Sequence, residues 1–227
     1  MKHPNGVHHL AIATANMKQQ IEFFSEVLGM ELVALYWMHG VEGAWHGFMK
    51  ANDKCYVAFV HLDAHKSINV EIGKTHAGNG GSPCAPGVMQ HVAFNVDTEE
   101  DLLQMRDRIR SRGVNVFGPL DHGFCKSIYF AGPEQLSLEI ATSREAINPK
   151  AWIDPEVVTL AGISSEDLKR YRAPAEYSNS GPKIEQPKFD ASKPHMNYPR
   201  ERYAAMLGMT DEQYSAFSMP DPPIKVA

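Results

Sequence analysis

Two stretches decide the fold: HLAIATANMKQQIEFFSEVLGMELV, residues 9–33, and HVAFNVDTEEDLLQMRDRIRSRGVNVF, residues 91–117. Each opens on a histidine, alternates large apolar with small or polar residues, switches to helical spacing, and stops at a glycine before a second extended run. In the first, Asn16 is an N-cap, Ile21, Phe24, Val27 and Leu28 recur at helical spacing, and Gly29 supplies the left-handed stop. In the second, Asp97 or Thr98 caps, and Glu99, Glu100 and Asp101 suit the positive start of a helix. Leu102, Met105 and Ile109 form its apolar stripe, and Arg110 and Arg112 precede Gly113 at its end. Further extended segments follow: CYVAFVHL and SINVEIG in the first half, SIYFAG and LSLEIA in the second. The chain to about residue 145 therefore reads as an α+β fold of two βαβββ modules, one over about 6–74 and one over about 88–145.

The link THAGNGGSPCAPGV, residues 75–88, opens a strand rather than a helix, so it reads as a flexible connector and not as a phosphate-cradling loop. Ten of the fifteen prolines fall after residue 148, with short helical pieces near SSEDLKRYR and RERYAAMLGM and no sheet pattern. The expected organisation is a two-module domain over 1–145 and a proline-rich extension over 146–227. Such a composition is often disordered; the expectation here is that the extension docks on its own domain or on a partner subunit.

A net charge of −5 gives no footprint for nucleic acid or an anionic membrane surface. Three cysteines in no C-x-x-C pair suit a reduced, cytoplasmic protein, and no run approaches membrane-spanning length. The start, MKHPNGVHH, has no apolar stretch behind its lysine, so export is not expected. Ten of the eleven histidines lie at or before His122, and that enrichment points to a site in the paired modules.

Strand parity sharpens this, because side chains alternate faces. His9 shares a face with Ala11 and Ala13, His91 with Ala93 and Asn95, and Glu139 with Ser137. Each time the large apolar neighbours point the other way, to where a helix can pack. A polar outer face of an antiparallel sheet alternates in the same manner. The matched positions of His9 and His91 in the two repeats favour a site. Two imidazoles and a carboxylate on small-residue faces are the donor set of a 2-His-1-carboxylate centre, which leaves coordination positions open.

The paired modules, with HLAIATANMKQQIEFFSEVLGMEL and HVAFNVDTEEDL, resemble the vicinal oxygen chelate superfamily, which includes glyoxalase I, extradiol ring-cleaving dioxygenases and bleomycin-resistance proteins. The resemblance covers roughly residues 6–145. It implies an incomplete mixed-sheet barrel around a divalent metal, with His9, His91 and Glu139 at the ligand positions. His122, Ile128-Tyr129, Pro133 and Glu139 resemble the extradiol signature, with departures at Leu120, Gly132 and Gln135. The segment FVHLDAHKS is similar to the dioxygenases' acid–base segment; His65 is the expected base by parity with Asn69 and Glu71, and His61 is its alternative.

The resemblance thus implies an Fe(II) dioxygenase opening a catecholic or hydroquinone-like ring with O2, with His65, His122 and Tyr129 as catalytic residues. Mn(II), Ni(II), Co(II) or Zn(II) are the other metals such a site accepts. Glu71 is the candidate fourth ligand, because the repeat maps it onto Glu139. A four-ligand set would instead suit a glyoxalase- or epimerase-type enzyme stabilising an enediolate. A non-catalytic small-molecule-binding protein of the resistance type is the third reading. Such modules commonly pair, so a homodimer is expected.

Overall fold

The first repeat begins as its pattern predicts, with β1 (His9–Thr14) leading into α1 (Met17–Glu22), in a computed structural model that describes residues 3–178 and 181–225. The outer limits of the expected domains, residues 1 and 227, lie outside the described residues. Asn16 caps α1, its Oδ1 accepting from the Gln19 N–H at 3.2 Å. The helix continues through Phe23–Val27 in a wider, π-type turn that buries Phe24 and Val27. Then β2 (Glu31–Trp37), β3 (Trp45–Asn52) and β4 (Cys55–His61) complete a sheet in the order β1-β4-β3-β2, with β1 and β4 parallel.

The second repeat builds the same topology. Its elements are β5 (Val92–Asn95), α2 (Glu99–Ser111), β6 (Val116–Asp121), β7 (Lys126–Ala131) and β8 (Ser137–Thr142). The order is β5-β8-β7-β6, again with the first and last strands parallel. Thr98 is the N-cap of α2, in a reciprocal capping box with Asp101. Two four-stranded mixed sheets, each backed by a helix, therefore form an α+β fold without a closed barrel.

One expected strand is not there. Asp63–Ser67, which overlaps SINVEIG only at Ser67, forms a 3-10 turn, and beyond it an isolated bridge joins Ile72 to His76. Alternation in SINVEIG is genuine, but a strand also needs a partner. β4, the preceding strand, is flanked by β1 and β3, and SINVEIG pairs with neither outer strand of the sheet, β1 or β2. Ile68, Val70 and Ile72 remain 65%, 44% and 53% exposed. The central strand that the pattern reading passed over is WHGFMKAN, β3, with Met49 fully buried.

One apolar core joins both modules. The Phe24 ring centre lies 5.0 Å from that of Phe59 in the first module and 6.2 Å from that of Phe94 in the second. Truncating so fully buried a phenylalanine to alanine costs about 3–5 kcal/mol. Polar ties reinforce the junction. Glu134, in the β7–β8 turn, accepts from the Ala15 N–H and from Gln20 Nε2, both at 2.8 Å. Arg108 on α2 donates to the carbonyls of Val27 and Glu26 at 2.8 and 3.1 Å, closing the end of the first helical segment.

By its contacts this unit runs from Pro4 to Ala173 and takes in three short helices, α3 (Pro149–Trp152), α4 (Pro155–Leu160) and α5 (Ser165–Arg172). The described residues from Pro174 onward, with His3, form a second unit. It contains α6 (Arg200–Leu207) and α7 (Asp211–Ala216), with Phe189, His195 and Tyr203 packed ring against ring. Among the described residues no helix is long and apolar enough to cross a membrane.

Candidate functional site

Sheet register assigns each side chain to a face. In the first module His9 pairs with Tyr56, Ala11 with Ala58 and Ala13 with Val60, while Leu10 and Ile12 turn into the core. In the second, Ala93 pairs with Glu139 and Asn95 with Ala141, so His91, two residues before Ala93, faces the same way as Glu139. The residue that matches Glu139 in the first repeat is therefore Ala58. Each lies opposite the alanine two residues after the module's leading histidine.

Glu71, which the sequence pattern maps onto Glu139, lies outside both sheets. Its side chain is 55% exposed and pairs with Lys74 at 2.6 Å. The expected strand carrying Glu71, from which the fourth-ligand reading came, does not form: Glu71 lies beyond the 3-10 turn, beside the isolated Ile72–His76 bridge.

His91 and Glu139 come together: Nε2 lies 2.9 Å from Glu139 Oε2, and the carboxylate is 7% exposed. Two donors each about 2.1 Å from one octahedral ion stand about 3.0 Å apart when cis, so this pair fits a divalent metal without rearrangement. His9 does not join them. It bonds His8, Nδ1 to Nδ1 at 2.9 Å, and its ring lies 5.6 Å from that of Phe48. Among the described residues no three His, Cys, Asp or Glu side chains converge in a way that could hold a metal ion.

Tyr129 pairs directly with Glu139 across β7 and β8, so both side chains emerge on one face. Its hydroxyl lies 2.8 Å from His122 Nε2, which reaches back from the β6–β7 turn. Burial, with the adjacent Glu139 charge adding to it, holds the Tyr129 hydroxyl above the ordinary tyrosine range, so it stays protonated at neutral pH. His122, Tyr129, Glu139 and His91 thus form one polar row across the second sheet.

The expected base is placed elsewhere. His65 Nδ1 and His61 Nδ1 both bond the Thr14 carbonyl, at 3.2 and 3.1 Å. Thr14 closes β1 and His9 opens it, roughly 16 Å apart at a strand's rise per residue. His61 pairs with Thr14 and so lies on the core side of the sheet, buried. His65 lies in the 3-10 turn, where strand parity with Glu71 does not apply.

The residue that pattern reading missed is His46. On β3, His46, Phe48 and Lys50 face outward with His9, because they pair with Val60, Ala58 and Tyr56. The His46 Nε2 is buried without a hydrogen-bond partner among the described residues. Burial first, and the neighbouring His9 second, hold its pKa below the usual imidazole value, so the ring is neutral at pH 7. Alternation in WHGFMKAN was the available signal. A cleft of about 900 Å³ runs between the modules, bordered by His91, Ala93 and Asn95 on one side and Lys50, Tyr56 and Val57 on the other.

The chain is 25% identical over 132 residues to biphenyl-2,3-diol 1,2-dioxygenase 2 of Rhodococcus globerulus, a match covering 58% of this chain and 60% of the relative. The chain thus spans about three fifths of that relative's length. Among solved structures it is similar to a glyoxylase/bleomycin resistance protein/dioxygenase domain from Frankia sp. EAN1pec. That likeness has 13% identity and a TM-score of 0.49, over 63% of this chain and 100% of that one. It is also similar to a fosfomycin resistance protein from Listeria monocytogenes, with 12% identity and a TM-score of 0.44, over 66% and 99%. Residues 6–140, more than half of the chain, match the model of the Glyoxalase/Bleomycin resistance protein/Dioxygenase superfamily, and to that superfamily this chain belongs.

Proposed function

We propose that this chain is a metal-dependent extradiol-type dioxygenase that opens a catecholic or hydroquinone-like ring, with Fe(II) as its metal. The observation that carries the reading is the asymmetry of the repeat. A carboxylate, Glu139, stands opposite Ala93 in the second module, and Ala58 stands opposite Ala11 in the first. The donor set is then two histidines and one carboxylate, His9, His91 and Glu139. Glu71, paired with Lys74 outside the sheets, does not support the fourth ligand of the glyoxalase-type alternative. The relative named biphenyl-2,3-diol 1,2-dioxygenase 2 supports the same substrate class.

His9 needs a route to the other two. We assign it to a second copy of the chain, the homodimer expected from the sequence, with the first module of one copy seated against the second module of the other. The open face of the second module carries apolar surface for such a contact: Phe117, paired with Tyr129, is 73% exposed, and Leu120, paired with Ser127, is 49% exposed.

His9, His91 and Glu139 would hold Fe(II), which when bound would supply the Lewis acidity and dioxygen chemistry of ring opening. The protein's own groups do the rest. Neutral His46, with an unpartnered Nε2 on the His9 face, accepts the catechol proton. Tyr129, protonated and oriented by His122, donates to the substrate oxygen. This reading moves the acid–base role from His65 to His46.

Anaerobic reconstitution with Fe(II), then assay against a panel of catechols and hydroquinones, tests the activity. Oxygen uptake with a yellow ring-cleavage product is expected; no uptake with any substrate would sink the proposal. Mixing His9→Ala chains with His91→Ala chains tests the shared site. Neither variant alone should retain metal, and the mixture should regain it. Failure to regain metal, with the unaltered chain binding it, would place all three ligands in one chain.

A further inference from the structure

We infer that Gln90 is a positioning residue for the His91 imidazole, holding the tautomer that keeps Nε2 available to a cation. The inference rests on the reading of His91 and Glu139 as ligands of one centre. The hydrogen-bond roles follow in order from a group that has no choice. The Asn79 backbone carbonyl can only accept, and it lies 2.9 Å from Gln90 Nε2. That contact fixes the orientation of the Gln90 amide, and its Oε1 then faces His91 Nδ1 as a hydrogen-bond partner. A carboxamide oxygen also only accepts, so the hydrogen must reside on Nδ1. A neutral His91 therefore presents a lone pair at Nε2, the atom 2.9 Å from Glu139 Oε2.

A lone pair and a carboxylate oxygen at that distance repel unless a cation lies between them, either a proton or a metal ion. Without Gln90 the ring is free to carry its hydrogen on Nε2 and donate it to Glu139. Both donor atoms would then be consumed in one internal hydrogen bond, which an incoming metal must break. Gln90 removes that option. Metal-binding histidines generally have the second ring nitrogen held in this way, and losing such a partner typically weakens metal affinity about 10–100-fold.

The anchor of the relay is the glycine-rich connector. Asn79 is itself held in place, its Oδ1 accepting from the Gly81 N–H at 2.9 Å and its Nδ2 donating to Ser82 Oγ at 2.8 Å. The preceding Gly78 takes φ +78, and a Cβ there would meet Ile72 at 3.1 Å. A segment that reads as a mere spacer thus carries the carbonyl from which the His91 tautomer is set.

The test uses the metal-free full-length chain with 15N-labelled histidine, in the unaltered form and as Gln90→Leu and Gln90→Glu. Ring-nitrogen chemical shifts report which nitrogen of His91 carries hydrogen, and Co(II) titration followed by absorption reports affinity. The unaltered chain is expected to show hydrogen on Nδ1. Gln90→Leu should move hydrogen toward Nε2 and weaken Co(II) binding about 10–100-fold. Gln90→Glu retains an oxygen acceptor and should restore the Nδ1–H form. Unchanged His91 shifts and unchanged Co(II) affinity in Gln90→Leu would overturn the inference. An unaltered chain with the Nδ1–H form but no Co(II) binding would overturn the metal reading alone and leave the role of Gln90 standing.

Discussion

The two modules share one topology and one leading histidine, yet they dress their open faces differently. On the second sheet Glu139, Tyr129 and His122 make a polar row that ends at His91. On the first, the matching positions hold Ala58 and Phe48, and the remaining polarity is His9 and His46 around an aromatic patch, with Tyr36 stacked 6.2 Å from Phe48. The duplicated fold thus carries two unlike faces: one concentrates charge, and the other offers the neutral His46 imidazole and ring surface. Substrate aromatic rings suit the second kind of face; a metal ion needs the first.

Four substitutions break or sharpen that contrast. Glu139→Ala makes the second module resemble the first, and it should have the largest effect: metal content falls to background and activity is lost. Removal of a ligand exceeds the roughly 100-fold loss from removing a ligand's outer partner. Elemental analysis of the reconstituted protein checks it, and retained stoichiometric metal would refute Glu139 as a ligand. Tyr129→Phe removes the donor but keeps the ring, and should lower kcat about 10- to 100-fold with metal content unchanged, read by oxygen uptake. Spectrophotometric titration of tyrosines should also show one hydroxyl ionising above the ordinary range in the folded chain only. Because that folded value is raised, its contribution to stability is present at neutral pH and fades as pH rises through it.

Glu134→Ala tests what keeps the two modules together. It strands the buried Gln20 amide and the Ala15 N–H, and should cost about 1–3 kcal/mol in chemical denaturation. Burial raises the Glu134 pKa, but hydrogen bonds from Thr14, Gln20 and the Ala15 and Asn16 backbones outweigh it, leaving the carboxyl below its usual value. The stabilisation is therefore present at neutral pH and is lost as pH falls through the folded value. The variant should show a flatter acid limb than the parent; superimposable limbs would show that Glu134 does not tie the modules. Glu71→Ala should have the smallest effect, within about 0.5 kcal/mol in stability, since an exposed pair with Lys74 is worth little. A loss of metal in this variant would restore the four-ligand reading.

Much of this was legible in the chain. Capping at Asn16 and Thr98, the glycine stops and the helical stripes are local signals, and the helices α1 and α2 stand where their patterns predict. Strand parity was as reliable where the strand existed: His9, His91 and Glu139 all face away from the core. It misled at SINVEIG, because alternation does not reveal whether a segment finds a strand to pair with. From that one error came Glu71 as the partner of Glu139 and His65 as a face-mate of Glu71. The departure from the extradiol turn at Gln135 has a visible consequence: the residue sits at φ +64, next to Glu134 at φ +54, where glycine is at ease. The same turn aims Glu134 at Gln20.

The sequence by itself determined the elements, the duplication and the facing of the leading histidines, because capping, periodicity and parity act within a few residues of one another. Only the tertiary structure decided who meets whom. Register across β5 and β8 set Glu139 against His91 and put Ala58, not Glu71, in the equivalent place. Folding also buried the His46 Nε2 and brought Asn79 to Gln90. Those pairings join residues far apart in the chain, and they follow from which strand edges and loop carbonyls remain available once the core has closed.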